Sequence, residues 1–74
     1  MVEMLLKDLK GEDRTTRLDA MESLAMSAWE PDWNPETFLA AGGLQSMLDA
    51  LTDDEEIIRS GAASVIGAVA KSGG

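Results

Sequence analysis

Leu44-Gln-Ser-Met47-Leu48-Asp-Ala-Leu51, followed by Arg59, Ala62, Ile66 and Ala70, is the second writing of a pattern already present 42 positions earlier, Val2 standing for Leu44. The first writing runs Val2, Leu5, Leu6 and Leu9, then Arg17, Ala20, Leu24 and Ala28. Leu6/Leu48, Leu9/Leu51, Arg17/Arg59, Ala20/Ala62 and Ala28/Ala70 are identities, and the copies align without a gap. Both carry an acidic turn at the same place, Glu12-Asp13 and Asp54-Glu55. A period of this length marks a stacked helical repeat, whose units bury their apolar side against one another. Such a scaffold binds partners along a surface rather than enclosing a reacting group.

Local signals divide the copies into helices. Val2 to Lys10 has apolar residues at positions 2, 5, 6 and 9, one face of a helix, and Gly11 is expected to stop it as a left-handed cap. Asp13 is the expected N-cap of a helix from about Arg14 to Ala28, buried along Leu18, Met21, Leu24, Ala25 and Ala28. Pro31 forbids continuation, so residues 29–35 read as a linker. Asn34-Pro35 is a helix-start signal for a short helix over Glu36 to Ala41, and Gly42-Gly43 permits a sharp turn into a helix over Leu44 to Leu51. Thr52 or Asp53 closes that helix or caps a last one, from about Asp54 to Lys71. Gly61 and Gly67 each cost about 1 kcal/mol relative to Ala inside that helix. Their presence among alanines argues that neighbours approach it closely. No segment alternates with period two, so no strand is expected.

Composition narrows the function. The chain has 74 residues and net charge −8, with no Cys and no His. A domain of this size is marginal alone and nothing staples it. The absent thiol and imidazole remove the commonest nucleophile and general base, and the acidic pairs sit at helix ends with no cleft implied, so no enzyme and no cofactor are expected. The negative charge makes nucleic acid and anionic membrane poor partners and favours a basic protein surface. No segment is apolar enough to span a bilayer and no signal-peptide pattern opens the chain, so a soluble, cytoplasmic protein is the default expectation. Ser72-Gly73-Gly74 has no domain-ending feature, which suggests that the natural chain continues. With three aromatic residues, the core is expected to be Leu, Ile, Val, Met and Ala.

Phe38-Leu-Ala-Ala-Gly-Gly-Leu44, then Met47-Leu48-x-x-Leu51, then Arg59-x-x-Ala62-Ala63-x-x-Ile66, resembles an armadillo repeat. The resemblance implies an all-α, right-handed superhelical stack of about two repeats. The first copy (1–28) lacks the short helix, 29–35 is the linker, and 36–74 is the second repeat. Ala62-Ala-Ser-Val-Ile-Gly-Ala-Val-Ala70 and Arg17-Leu-Asp-Ala-Met-Glu-Ser-Leu24 are further similar to the armadillo-type nucleotide exchange factors of seventy-kilodalton heat-shock chaperones. That resemblance implies a clamp on the chaperone's nucleotide-binding domain that promotes ADP release. Trp29 to Pro35 departs from that family's usual segment between its first repeats, and two repeats are fewer than its members carry. In importin-like relatives, Trp and Asn on the third helices read basic peptides. Here those rungs fall on Glu22 and Met26, and on Ser64 and Ala68, so that mode is disfavoured.

Family geometry places the partner surface along the third-helix row: Glu22 and Met26 in the first copy, Ser60, Ser64, Ala68 and Lys71 in the second. Trp33 joins this set because interface hot spots favour tryptophan, whereas Trp29 reads as a cover over the seam between copies. Asp53 to Glu56 reads as helix capping rather than a calcium loop, since the spacing of a dedicated site is missing. Arg17 and Arg59 read as structural residues that pair with the acidic turns, at about 0.2–1 kcal/mol each if exposed. Met21 and Met47 fall at core spacing; Met4 and Met26 are the exposed candidates. A structural or self-associating subunit, a homo-oligomer through exposed repeat ends, is the alternative to a module with a separate ligand.

Overall fold

The protein, described by a computed structural model over residues 2–73, is all-α. Five helices follow in chain order: α1 (Val2–Leu9), α2 (Arg14–Ala28), α3 (Pro35–Ala40), α4 (Gly43–Ala50) and α5 (Glu56–Gly73). The packed pairs are α1 on α2, α2 on α5, α4 on α5 and α3 on α4. One apolar core, from Leu6 to Ala68, runs through both copies, so neither is a separate body.

The caps follow the sequence with two refinements. Asp13 is the N-cap of α2: its carboxylate accepts the Thr16 N–H at 2.9 Å and the Thr16 hydroxyl at 2.6 Å. Asn34 caps α3 by accepting the Glu36 and Thr37 N–H groups, with Pro35 at the first turn. Gly11 is not left-handed, contrary to expectation; Gly42, at φ 82°, is the one positive-φ position among the described residues. Instead α1 ends at Leu9 in tight turns, Lys10 N–H to Lys7 C=O and Gly11 N–H to Asp8 C=O. The Gly42-Gly43 pair splits its work. Gly42 supplies the left-handed backbone that α3 needs to turn into α4. Gly43 is already the first residue of α4 and lies under the Phe38 ring, where a Cβ would come within 2.6 Å of Cε1.

Arg17 and Arg59 do the same structural job with a different partner from the one expected. Arg17 Nη1 donates to the Gly11 and Glu12 carbonyls at 3.3 and 2.8 Å. Arg59 Nη1 donates to the Asp53 and Asp54 carbonyls at 2.7 and 3.1 Å. The offsets are the same in both copies, five and six residues back. The guanidinium therefore ties down the turn through its backbone rather than through the acidic side chains. Asp53 completes the second turn by accepting the Glu55 N–H at 2.8 Å, just ahead of α5.

The core is aliphatic with one aromatic centre that composition undervalued. Phe38 is fully buried, alongside Met21, Leu24, Met47, Ile58 and Val65, and burying it contributes about 1.5–3 kcal/mol. Trp33 packs on it, half-buried, with ring centroids 5.5 Å apart and tilted by 54°. Met4 and Met26 are exposed, as their spacing indicated. Gly61 lets α2 approach α5: a Cβ there would meet the Met21 side chain, with Sδ at 2.8 Å. Gly67 has no such duty. It is exposed, and the nearest atom to a Cβ would be Trp29 Cζ2 at 3.9 Å.

Candidate binding surface

The third helices of the two copies, α2 and α5, lie side by side and run in the same direction. Their N-terminal ends are joined by an ion pair, Arg14 Nε to the Glu55 carboxylate. The hydrogen bond that Arg14 donates to Glu55, and secondarily the charge of that carboxylate, raises the Arg14 pKa above its ordinary value. At the other end, the Trp29 indole N–H donates to Ser64 Oγ at 2.9 Å, and the Lys71 ammonium sits 5.5 Å from the Trp29 ring centroid. Trp29 follows α2 directly and so reaches across to α5, covering the seam as the sequence suggested. It nevertheless remains 51% exposed, which the sequence reading did not anticipate.

The row of candidate residues resolves into three groups. Glu22, Met26, Ser60 and Lys71 are exposed, with Met26 65% exposed. Ser64 is half-buried and already holds Trp29. Ala68 is corrected: it is 3% exposed and belongs to the core, because its face of α5 turns towards α2 rather than outward. Trp33 is half-buried, its ring tilted against Phe38. Trp29 joins the row. It is the exposed aromatic of the surface, and the signal that could have found it is its position immediately after Ala28, at the end of α2.

Around Trp29 and Lys71, Ala28, Glu30, Pro31, Ala68 and Ser72 line an open groove. It offers an apolar ring, one cation and one nearby carboxylate. A larger depression between α1 and α3, lined by Val2, Glu3, Thr37, Ala40 and Ala41, is mainly aliphatic. Among the described residues, no group of three or more acidic side chains is placed to hold a metal ion, and no helix is long and apolar enough to cross a membrane.

No family model matches the chain and no curated protein matches it. Among solved structures it is similar to an engineered protein crystallised by the Northeast Structural Genomics Consortium, with a TM-score of 0.81 and 29% sequence identity. The likeness covers 93% of this chain and 28% of that one, so this chain spans less than a third of that protein's length.

Proposed function

We propose that the chain is a protein–protein interaction module of armadillo type that receives its partner along the α2–α5 surface. The observation that carries the reading is the exposed set Glu22, Met26, Trp29, Ser60 and Lys71, spread over two parallel helices tied at both ends. Two large exposed apolar side chains on a rigid seat are the raw material of a binding hot spot. The order α3–α4–α5, short helix, glycine turn, helix, long helix, supports the armadillo assignment, as does the turn-tying arginine in each copy. The net charge of −8 favours a basic partner surface and gives an affinity that weakens with salt.

The narrower reading is a fragment of a chaperone nucleotide exchange factor, supported by the sequence resemblance over Arg17–Leu24 and Ala62–Ala70. Its test is stopped-flow release of fluorescent ADP from a seventy-kilodalton heat-shock chaperone. Acceleration by the chain, lost in Met26→Asp and Lys71→Glu, is the expected result. If a titration detects binding that neither substitution weakens, the surface is wrong; if it detects none and release is unchanged, the chaperone is the wrong partner. A second reading, a structural subunit with no separate ligand, draws on a different feature, the exposed leucines of α4.

A further inference from the structure

Several equivalent positions of the two copies differ in burial, and the differences sort by face. Leu6 is 4% exposed but Leu48 is 46% exposed. Val2, Leu9 and Leu24 pack at or in the core, while Leu44 and Leu51 are 39% and 38% exposed and Ile66 is only half-buried. Met21 and Ala28 are buried; Ala63 and Ala70 are exposed. One side of the first copy is thus covered, and the same side of the second is open. The reverse holds for the other side: Ala50, Ile58, Val65 and Ala68 are buried, whereas Asp8, Thr16, Ser23 and Met26 stand in the equivalent places, exposed or half-buried. The covered sides face each other. Leu9 shares a small depression with Ser46, Ala50 and Ile58, Met21 lies against the Gly61 position, and Ala28 lines a groove with Ala68.

The internal seam therefore shows what covers such a side: a helical repeat presenting small and apolar residues in the register of Ser46, Ala50, Ile58, Val65 and Ala68. We propose that the end face made by Leu44 and Leu48 of α4, and Leu51 just after it, with Ile66 and Ala70 of α5 docks one further helical repeat of this kind, in the register seen between the two copies. A second copy of this chain is a poor occupant. Its matching side is already buried, its free side would set Asp8, Thr16 and Ser23 against leucines, and two chains of charge −8 repel. The two ends of the stack are thus unlike: the α1–α2 end is polar at most of its equivalent positions, and the α4–α5 end is apolar.

The chain has no cysteine, so a single one reports cleanly. Leu48→Cys is labelled with a thiol reagent in the 74-residue chain and in a chain where residues 32–73 are written once more after Gly73, the probe repeat. The expected result is a monomer by light scattering with rapid labelling in the short chain, and labelling slowed about tenfold or more in the extended one, since protection follows the population of the open state. Met4→Cys, at the opposite end, labels equally fast in both. Unchanged labelling of Cys at position 48 in the extended chain, whether the added repeat is folded elsewhere or unfolded, overturns the proposal. So does a short chain that dimerises with position 48 protected, which would make a second copy the occupant.

Discussion

Gly61 and Gly67 lie six residues apart in one helix, and the same substitution should act on them with different sign. In a helix interior Gly→Ala gains about 1 kcal/mol from backbone entropy alone. At Gly67 that gain is free of cost, because the new methyl has ordinary contact distance to Trp29 Cζ2, 3.9 Å. Gly67→Ala should therefore stabilise by about 1 kcal/mol, or raise Tm by about 4–8 °C for a domain of this size. At Gly61 the methyl would overlap Met21, whose side chain is 1% exposed and has core neighbours on all sides. Forcing an extra methyl into such packing costs about 1–3 kcal/mol. Set against the same gain, Gly61→Ala should be neutral to about 2 kcal/mol destabilising. The pair is measured by urea or thermal unfolding followed by circular dichroism. A double-mutant cycle with Met21→Ala should show a favourable coupling of about 0.5–3 kcal/mol, as the added methyl enters the space that Met21 leaves. Equal stabilisation by the two alanines, with no coupling to Met21, would refute the close approach of α2 and α5 at Gly61.

Three further expectations follow from the caps and turns. Arg17→Met and Arg59→Met should each lose about 1 kcal/mol, while Glu12→Gln and Asp54→Asn stay within about 0.5 kcal/mol, because the arginines hold carbonyls rather than carboxylates; chemical denaturation separates the two outcomes. The Thr16 hydroxyl, then its N–H, with help from the Arg17 charge, holds the Asp13 carboxyl below its ordinary 3.8. Its folded pKa is below its unfolded one, so its contribution is complete above the unfolded value and is lost as pH falls through the folded one. Asp13→Asn keeps an acceptor but not the titration, and its stability should fall less steeply than that of the parent between about pH 5 and 3. A parallel loss in both proteins would show that Asp13 is not a source of the acid sensitivity. Gly43→Ala, driven into the buried Phe38 ring, should cost about 1–3 kcal/mol or more, whereas Gly42→Ala should cost about 1–2 kcal/mol through its left-handed backbone alone and Gly42→Asn less. Melting temperatures of the three variants check that order.

The elements were legible because their signals are local. Asp13, Asn34-Pro35 and Gly42 act within four residues of themselves, and each does in the fold what its chemistry indicates. Gly11 misled because a glycine after a helix only permits the left-handed cap; here the tight turn from Asp8 satisfies the chain end without it. Arg17 and Arg59 were recognisable as structural from their repetition, but pairing a cation with the nearest acids overlooked the turn carbonyls, which lie in reach and have no helical partner. Burial was least legible. The duplicated pattern makes Leu6 and Leu48 the same residue in the same context, and the structure makes one core and the other surface. No property of the local sequence separates them, because what differs is which neighbour stands beyond. Ala68 went astray for the same reason: third-helix residues differ in orientation by about 100° each, and only the packing partner decides which of them look outward.

The seam between α2 and α5 also constrains how the surface can work. It is tied at its ends, by Arg14 with Glu55 and by Trp29 with Ser64 and Lys71, and in its middle it rests on Met21 against Gly61. Trp29 belongs both to the tie and to the exposed surface. A partner that stacks on the free part of the indole can leave its N–H with Ser64 and gains a pre-ordered aromatic anchor, so little side-chain entropy is lost on binding. A partner that draws Lys71 away, through an acidic group, gives up the cation–π contact, worth about 0.5–1 kcal/mol at an exposed site. At the proposed surface, then, a partner that leaves Lys71 over the Trp29 ring keeps this contact, and an acidic one that draws Lys71 away binds at its expense.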